Sequence, residues 1–331
     1  MKAFEPKFIN RVEELRALEK LASSTTTLPI YLYGPEGCGK TRLLKEFIRR
    51  YQGVGIYIDA LERENPFKAL QMSPAVENYV DIVKALASSI SGEIGRVLVD
   101  KLSTILNKVA VKRKLGDESI VIAVDDVTRA IGLNKIEWYV KWLYELIGKL
   151  WEKYEPKSIL IIATTSEGQS LDLILRHTYA STRLIWNLNQ KAFNELIQEL
   201  NPPNQATIED LWHVIGGNPR ALIEVAYNYK WNINTWLNVL KRKLAKTLIT
   251  IRSRNLIKEL KHVIENPDAI HDKPSPKMEE LYKLLIEENL LIYKYMPTLN
   301  GGEIPKDLNL SIGEYYAWQI PAYRQILKEL L

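Results

Sequence analysis

The chain has 331 residues, 46% of them apolar and 26% charged, with a net charge of +5 and a single cysteine. That length exceeds one core of ordinary size and predicts two or three domains. Lone Cys38 excludes an intrachain disulfide, the four scattered histidines match no zinc spacing, and no run approaches the roughly 18 apolar residues of a membrane helix.

In chain order, Phe8-Ile9-Asn10-Arg11 leads into a predicted helix with Val12, Leu15, Leu18 and Leu21 on one face. Residues 29–33 form a short apolar run rich in β-formers, which predicts a buried strand, and a helix follows a glycine-rich loop to about Tyr51. Residues 54–59 are the second expected strand, and 66–115 read as mostly helical. Residues 119–124 are the third strand and run into Asp125-Asp126. A helix is expected over 136–154. The fourth strand, 158–163, ends in Thr164-Thr165-Ser166, and the fifth spans 183–188. Strands alternating with helices predict an α/β fold, with a parallel five-stranded sheet and helices on both faces.

After Asn189 the pattern becomes helical, over 191–200 and 207–215. Gly216-Gly217-Asn218-Pro219 breaks it, and Pro219 suits the first position of a new helix. A helical, basic stretch is expected over 231–265, then a helix at 278–288 and strands at 290–295 and 315–320 around a Gly301-Gly302 turn. These patterns predict an α/β sheet domain at 1–189, a helical lid at 190–235 and a winged-helix domain at 236–331.

The segment Gly34-Pro35-Glu36-Gly37-Cys38-Gly39-Lys40-Thr41 matches G-x-x-x-x-G-K-[ST] in full, between a strand and a helix. Glycines let successive N–H groups turn toward phosphate oxygens, and the following helix adds its positive end. Lys40 is expected to reach the β- and γ-phosphates, and the Thr41 hydroxyl to ligate Mg²⁺. Arg42 joins the loop as a candidate nucleotide contact. Cys38 fits as a small residue, and a thiol at a helix N-terminus is also a candidate redox-sensitive group.

A phosphate-loop enzyme needs a carboxylate at a neighbouring strand tip for the metal and another group to orient the attacking water. Asp125 is the candidate for the first role and Asp126 for the second. Thr165, ahead of Thr164, is the candidate for sensing the γ-phosphate at the end of the fourth strand. Arg183, with Arg176 as its competitor, is the candidate arginine finger.

The residues Phe8-Ile9-Asn10-Arg11-Val12-Glu13-Glu14-Leu15, the phosphate loop, the Asp125-Asp126 strand and Gly216-Gly217-Asn218-Pro219-Arg220 occur in this order. Together they resemble archaeal ATPases of the STAND class, relatives of AAA+ proteins that carry a winged helix after the lid. The resemblance implies an ATP-driven switch, with adenine near Ile9, Asn10 and Arg11. It also implies Pro219 touching the nucleotide from the lid and Arg220 in a position like the AAA+ sensor arginine.

Partners are less sharply indicated. Lys241, Arg242, Lys243, Lys246, Arg252, Arg254, Lys258 and Lys261 form a basic run opposed locally only by Glu259, which suits DNA phosphates or a solvated helix face. The acids of 278–288 disfavour a tight fit of that helix in a DNA groove. A protein partner or self-association through the C-terminal module is the alternative output, next to a DNA-binding initiator resembling archaeal origin-recognition proteins. Residues 1–10 carry no apolar signal core, so the cytosol is the expected location. Abundant Lys, Glu, Ile, Leu and Tyr match a composition common in heat-loving organisms.

Overall fold

The computed structural model describes residues 6–76, 101–112, 115–165, 168–203 and 208–331. Its first part is a six-stranded sheet built from β1 (Ile30–Tyr33), β2 (Val54–Asp59), β3 (Leu70–Met72), β4 (Ser119–Asp125), β5 (Ser158–Thr165) and β6 (Ser181–Leu184), in the order β3-β2-β4-β5-β1-β6. All neighbours run parallel except β3, which lies antiparallel on β2. The five-stranded expectation is therefore corrected by one edge strand. Residues 70–72 form it inside a stretch read as helical, because Leu70 and Met72 pack on the sheet core beside Ile56 and Ile58. The helical reading of 77–100 lies outside the described residues. The fifth expected strand is also shifted. Its pairing ends at Leu184, and the chain then turns toward the lid.

Strand alternation sends neighbouring side chains to opposite faces. Ile120, Ile122 and Val124 of β4 meet Tyr139, Val140, Leu143 and Leu146 of a helix spanning Ile136–Tyr154. Val121 and Ala123 face Leu15 and Leu18 of α1 (Val12–Ala22) and Leu43, Leu44 and Phe47 of α2 (Lys40–Arg50). Both faces are thus covered, and the parallel strand tips, Asp125 among them, emerge at the edge where α2 begins.

The stretch expected as the lid consists of helices Gln190–Glu199, Ile208–Ile215 and Pro219–Tyr227. Asn218 caps the third by accepting from the Ala221 N–H, and Pro219 opens it. Its core of Phe193, Leu196, Leu211 and Leu222 also takes in Ile320 and Ala322 from the far end of the chain.

The expected basic helix is two helices, Ile233–Ser253 and Ile257–Glu265, separated at Asn255, whose φ is 56°. The first of them continues from the lid core, at Trp236, into the C-terminal core, at Leu244, Leu248 and Ile251. Its basic face is opposed by more than Glu259. Lys241 pairs with Glu329 at 3.2 Å, Arg254 with Glu280 at 3.5 Å, and Arg252 donates to the Leu330 carbonyl at 3.2 Å. Tertiary folding brought these partners from helices Pro276–Glu287 and Pro321–Leu330, which sequence neighbours could not reveal. Arg242, Lys243, Lys246, Lys258 and Lys261 remain exposed.

Helix Pro276–Glu287 precedes two antiparallel strands, β7 (Leu291–Tyr293) and β8 (Tyr316–Trp318). Between them the chain reaches back to the sheet. Leu184 donates to the Pro297 carbonyl at 2.8 Å and Leu299 donates to the Leu184 carbonyl at 2.9 Å. The C-terminal module is therefore stitched to β6, with Tyr33, Leu184, Ile292, Ile312 and Ala317 packed in the seam.

Candidate functional site

The 34–41 loop leaves β1 and enters α2 directly. Gly37 and Gly39 have φ of 81° and 102°, which strain any L side chain. Gly37 is also needed for space, since a Cβ there would stand 2.6 Å from the Arg220 Cβ. The buried Lys40 ammonium donates to the Gly34 carbonyl at 2.8 Å and the Pro35 carbonyl at 3.1 Å. Cys38 is fully buried, its Sγ 3.6 Å from the Ile185 carbonyl, so the loop thiol is a packing group here.

Asp125 ends β4 beside the loop and is buried. Tyr57 Oη donates to its Oδ2 at 2.8 Å and Thr164 Oγ1 donates to its Oδ1 at 2.6 Å. Thr164 Oγ1 in turn accepts from the Asp126 backbone N–H at 2.8 Å. One threonine hydroxyl therefore ties both acids together. Asp126 has a φ of 51°, which bends the chain into the short helix Val127–Ile131. Burial, then the neighbouring Asp125 charge, pushes the Asp126 carboxyl up to about 6, against the opposing pull of Arg129 and Lys40.

A cleft of ≈ 720 Å³ brings Glu36, Gly37, Gly39, Lys40, Thr41, Arg42, Asp125, Asp126, Pro219 and Arg220 together. The lid reaches the loop through backbone contacts. Asn218 Nδ2 donates to the Glu36 carbonyl at 2.8 Å, and the Arg220 N–H donates to the Gly37 carbonyl at 3.3 Å. Arg220 Nη1 also donates to Glu36 Oε1 at 3.0 Å. The C-terminal module contributes Gln319, whose Oε1 accepts from the Glu36 N–H at 2.8 Å.

Several expected residues lie elsewhere. Ile9 packs on the lid core, while Pro6 and Phe8 line the cleft instead. Asn10 and Arg11 line a separate cavity of ≈ 380 Å³. The Arg11 guanidinium is consumed structurally, donating to Cys38 O at 2.8 Å, Trp186 O at 2.6 Å and Glu14 Oε1 at 2.7 Å. Arg183 sits on the edge strand and donates to Ser181 Oγ and the Thr182 carbonyl, outside the cleft lining. Arg176 is exposed at the end of the helix Gly168–Leu175. Thr165 is turned into the core, where its hydroxyl meets Ser170 Oγ and lies 3.4 Å from Thr128 Oγ1. Thr164 holds the place assigned to Thr165, because alternate strand residues face opposite sides.

Sequence reading missed Phe8, Arg129 and Gln319. Arg129 had a local signal, a cation on the first helical turn after the acid pair. Gln319 had none, because only folding brings it to the loop.

Residues 8–225 match the family described as an ATPase domain predominantly from Archaea. An uncharacterized ATP-binding protein of Methanocaldococcus jannaschii is 22% identical, over 85% of this chain and 88% of that protein. The Aeropyrum pernix ORC2 protein, solved in ADPNP and ADP complexes, aligns over 98% of this chain and 97% of its own at 14% identity and a TM-score of 0.46. The FIGL-1 AAA domain in complex with ADP aligns over 66% and 69% at 16% identity and a TM-score of 0.40. Spanning the phosphate loop, both acids and the Asn218 lid contact, the family match shows that this chain belongs to the archaeal P-loop ATPases.

Proposed function

We propose that the chain is an ATP-hydrolysing, Mg²⁺-dependent switch of the STAND type, in which the loop's nucleotide state is read by the lid and by a C-terminal winged helix. The observation that carries this reading is the convergence of two modules on one peptide unit. Asn218 of the lid takes the Glu36 carbonyl and Gln319 of the C-terminal module takes the Glu36 N–H. A loop that reshapes around phosphate would alter both contacts at once.

In this reading residues 1–189 are the P-loop domain, 190–235 the lid and 236–331 the winged-helix domain. Phe8, Pro219 and Ile223 offer apolar walls for the base. Lys40 exchanges its loop carbonyls for phosphate oxygens. Thr164 holds Asp126 so that its carboxylate can orient water and take its proton. Thr41 and Asp125 present hard oxygen donors to the same cleft, a set that suits Mg²⁺ shared with nucleotide oxygens. The metal would supply charge neutralisation at the phosphates.

Phosphate release from ATP tests the reading. It is expected in the wild type and lost in Lys40→Ala and Asp126→Asn, and an unchanged rate in both variants would sink it. A non-hydrolysing scaffold would instead retain ADP and show no turnover.

A further inference from the structure

The cleft holds a cation that neither the loop motif nor the family resemblance assigns. Arg129 lies three residues past Asp126 and lines the cleft with Lys40, Thr41 and both acids. Its Nη2 stands 3.7 Å from Glu36 Oε1, the same oxygen that accepts from Arg220 at 3.0 Å. Two guanidiniums from different elements thus meet on one carboxylate carried by the phosphate loop.

A γ-phosphate in such a loop emerges toward the acidic strand tip, where Arg129 stands. A guanidinium fork matches phosphate oxygens in a bidentate way, a fit that its 3.7 Å approach to Glu36 Oε1 does not have. We propose that Arg129 is the arginine that grips the γ-phosphate from within the same chain, and that Glu36 is the carboxylate Arg129 leaves for ATP and returns to after phosphate release. This rests on the ATPase reading above. In the reaction, the water oxygen bonds to the γ-phosphorus. The bond to the β,γ-bridging oxygen breaks, its electron pair leaves on ADP, and the water proton passes to Asp126. Arg129 stabilises charge on the γ-oxygens throughout, while Glu36, which transfers no proton, is a positioning residue.

The full chain is tested for turnover and for affinity toward ADP and the non-hydrolysable analogue ADPNP. Arg129→Ala is expected to lower kcat by about 10²-fold or more. It should weaken ADPNP by roughly tenfold while moving ADP by less than about threefold. Arg129→Lys keeps a charge and guards against a folding defect. It should recover part of the ADPNP affinity with kcat still low. Glu36→Gln should raise the preference for ADPNP over ADP. Turnover of Arg129→Ala near the wild-type rate, or an equal loss of ADP and ADPNP, overturns the assignment. A wild type without turnover sinks the hydrolase reading alone. The ADPNP-to-ADP preference then still decides, and its constancy in both Arg129 variants overturns the role of Arg129.

Discussion

The Gln319 side-chain carbonyl accepts the backbone N–H of Glu36 at 2.8 Å, across 283 residues of chain. Gln319 is buried, and its own backbone carbonyl accepts from Asn187 Nδ2 at 3.1 Å. Asn187 Oδ1 in turn accepts from Asn218 Nδ2 at 3.0 Å. A continuous polar chain therefore links the segment after β6, the lid helices, the C-terminal module and the phosphate loop. Buried networks of this kind are costly to leave half satisfied.

Gln319→Leu removes the acceptor and strands the Glu36 N–H. Leaving this part-buried donor unpaired costs at most about 1–3 kcal/mol. The variant is expected to melt earlier and to release a fluorescent ADP analogue faster than the wild type. Unchanged release would show the contact to be passive packing.

Thr164→Val breaks both hydrogen bonds that join the acids, whereas Thr165→Val disturbs core hydroxyl contacts, those with Ser170 and Thr128 among them. Turnover should fall by roughly 10–100-fold in Thr164→Val, on the scale of losing a group that orients a ligating carboxylate. The kcat of Thr165→Val should stay much closer to the wild type. The two rates measured side by side decide which threonine serves the site.

Asp126 must be ionised to take a proton from water, and its carboxyl is pushed up to about 6. Turnover should therefore rise with pH through about 6 and level off above it. Without nucleotide, the folded protein holds this proton where the unfolded chain has already lost it, between pH 3.8 and about 6. Stability should thus fall across that window, and the full penalty persists above it. Asp126→Asn removes the penalty and is expected to raise stability near neutral pH by on the order of 1–2 kcal/mol while abolishing turnover. Thermal melts at pH 5 and pH 7.5 provide the check, with a gain expected at both and the larger one at the higher pH.

Gly217 has a φ of 79°, and a Cβ there would stand 2.1 Å from the Leu188 carbonyl oxygen. That backbone accepts no such approach, and Leu188 donates to the Gly217 carbonyl at 2.9 Å. Gly217→Ala is expected to lose at least about 2 kcal/mol by strain and displacement of the lid. Thermal unfolding measures it, and a melt like the wild type's would mean the lid joint is softer than its geometry.

All four of Arg242, Lys246, Arg252 and Arg254 are exposed, and Arg252 and Arg254 are in addition tied to the Leu330 carbonyl and to Glu280. Duplex DNA binding, measured near ~50 mM salt where phosphate contacts are strongest, should fall more in Arg242→Glu/Lys246→Glu than in Arg252→Glu/Arg254→Glu. Absence of binding by the wild type at that salt removes DNA from the partners.

Local chemistry alone determined the phosphate loop, the acidic strand tip, the alternation of strands and helices, and the helix start at Pro219. Each depends on residues close in sequence, whose spacing states which backbone conformations and which face are available. Tertiary structure decided the rest. Leu70–Met72 joined the sheet because the β2 edge and its core were there to receive it. Strand pleat chose Thr164 over Thr165 once β5 was set beside β4. Buried carbonyls claimed Arg11, and the sheet edge held Arg183. Arg129, Arg220 and Gln319 meet at Glu36 although they come from three separate parts of the chain. No sequence spacing encodes a contact of that range, because only the packing of the separate modules brings its partners together.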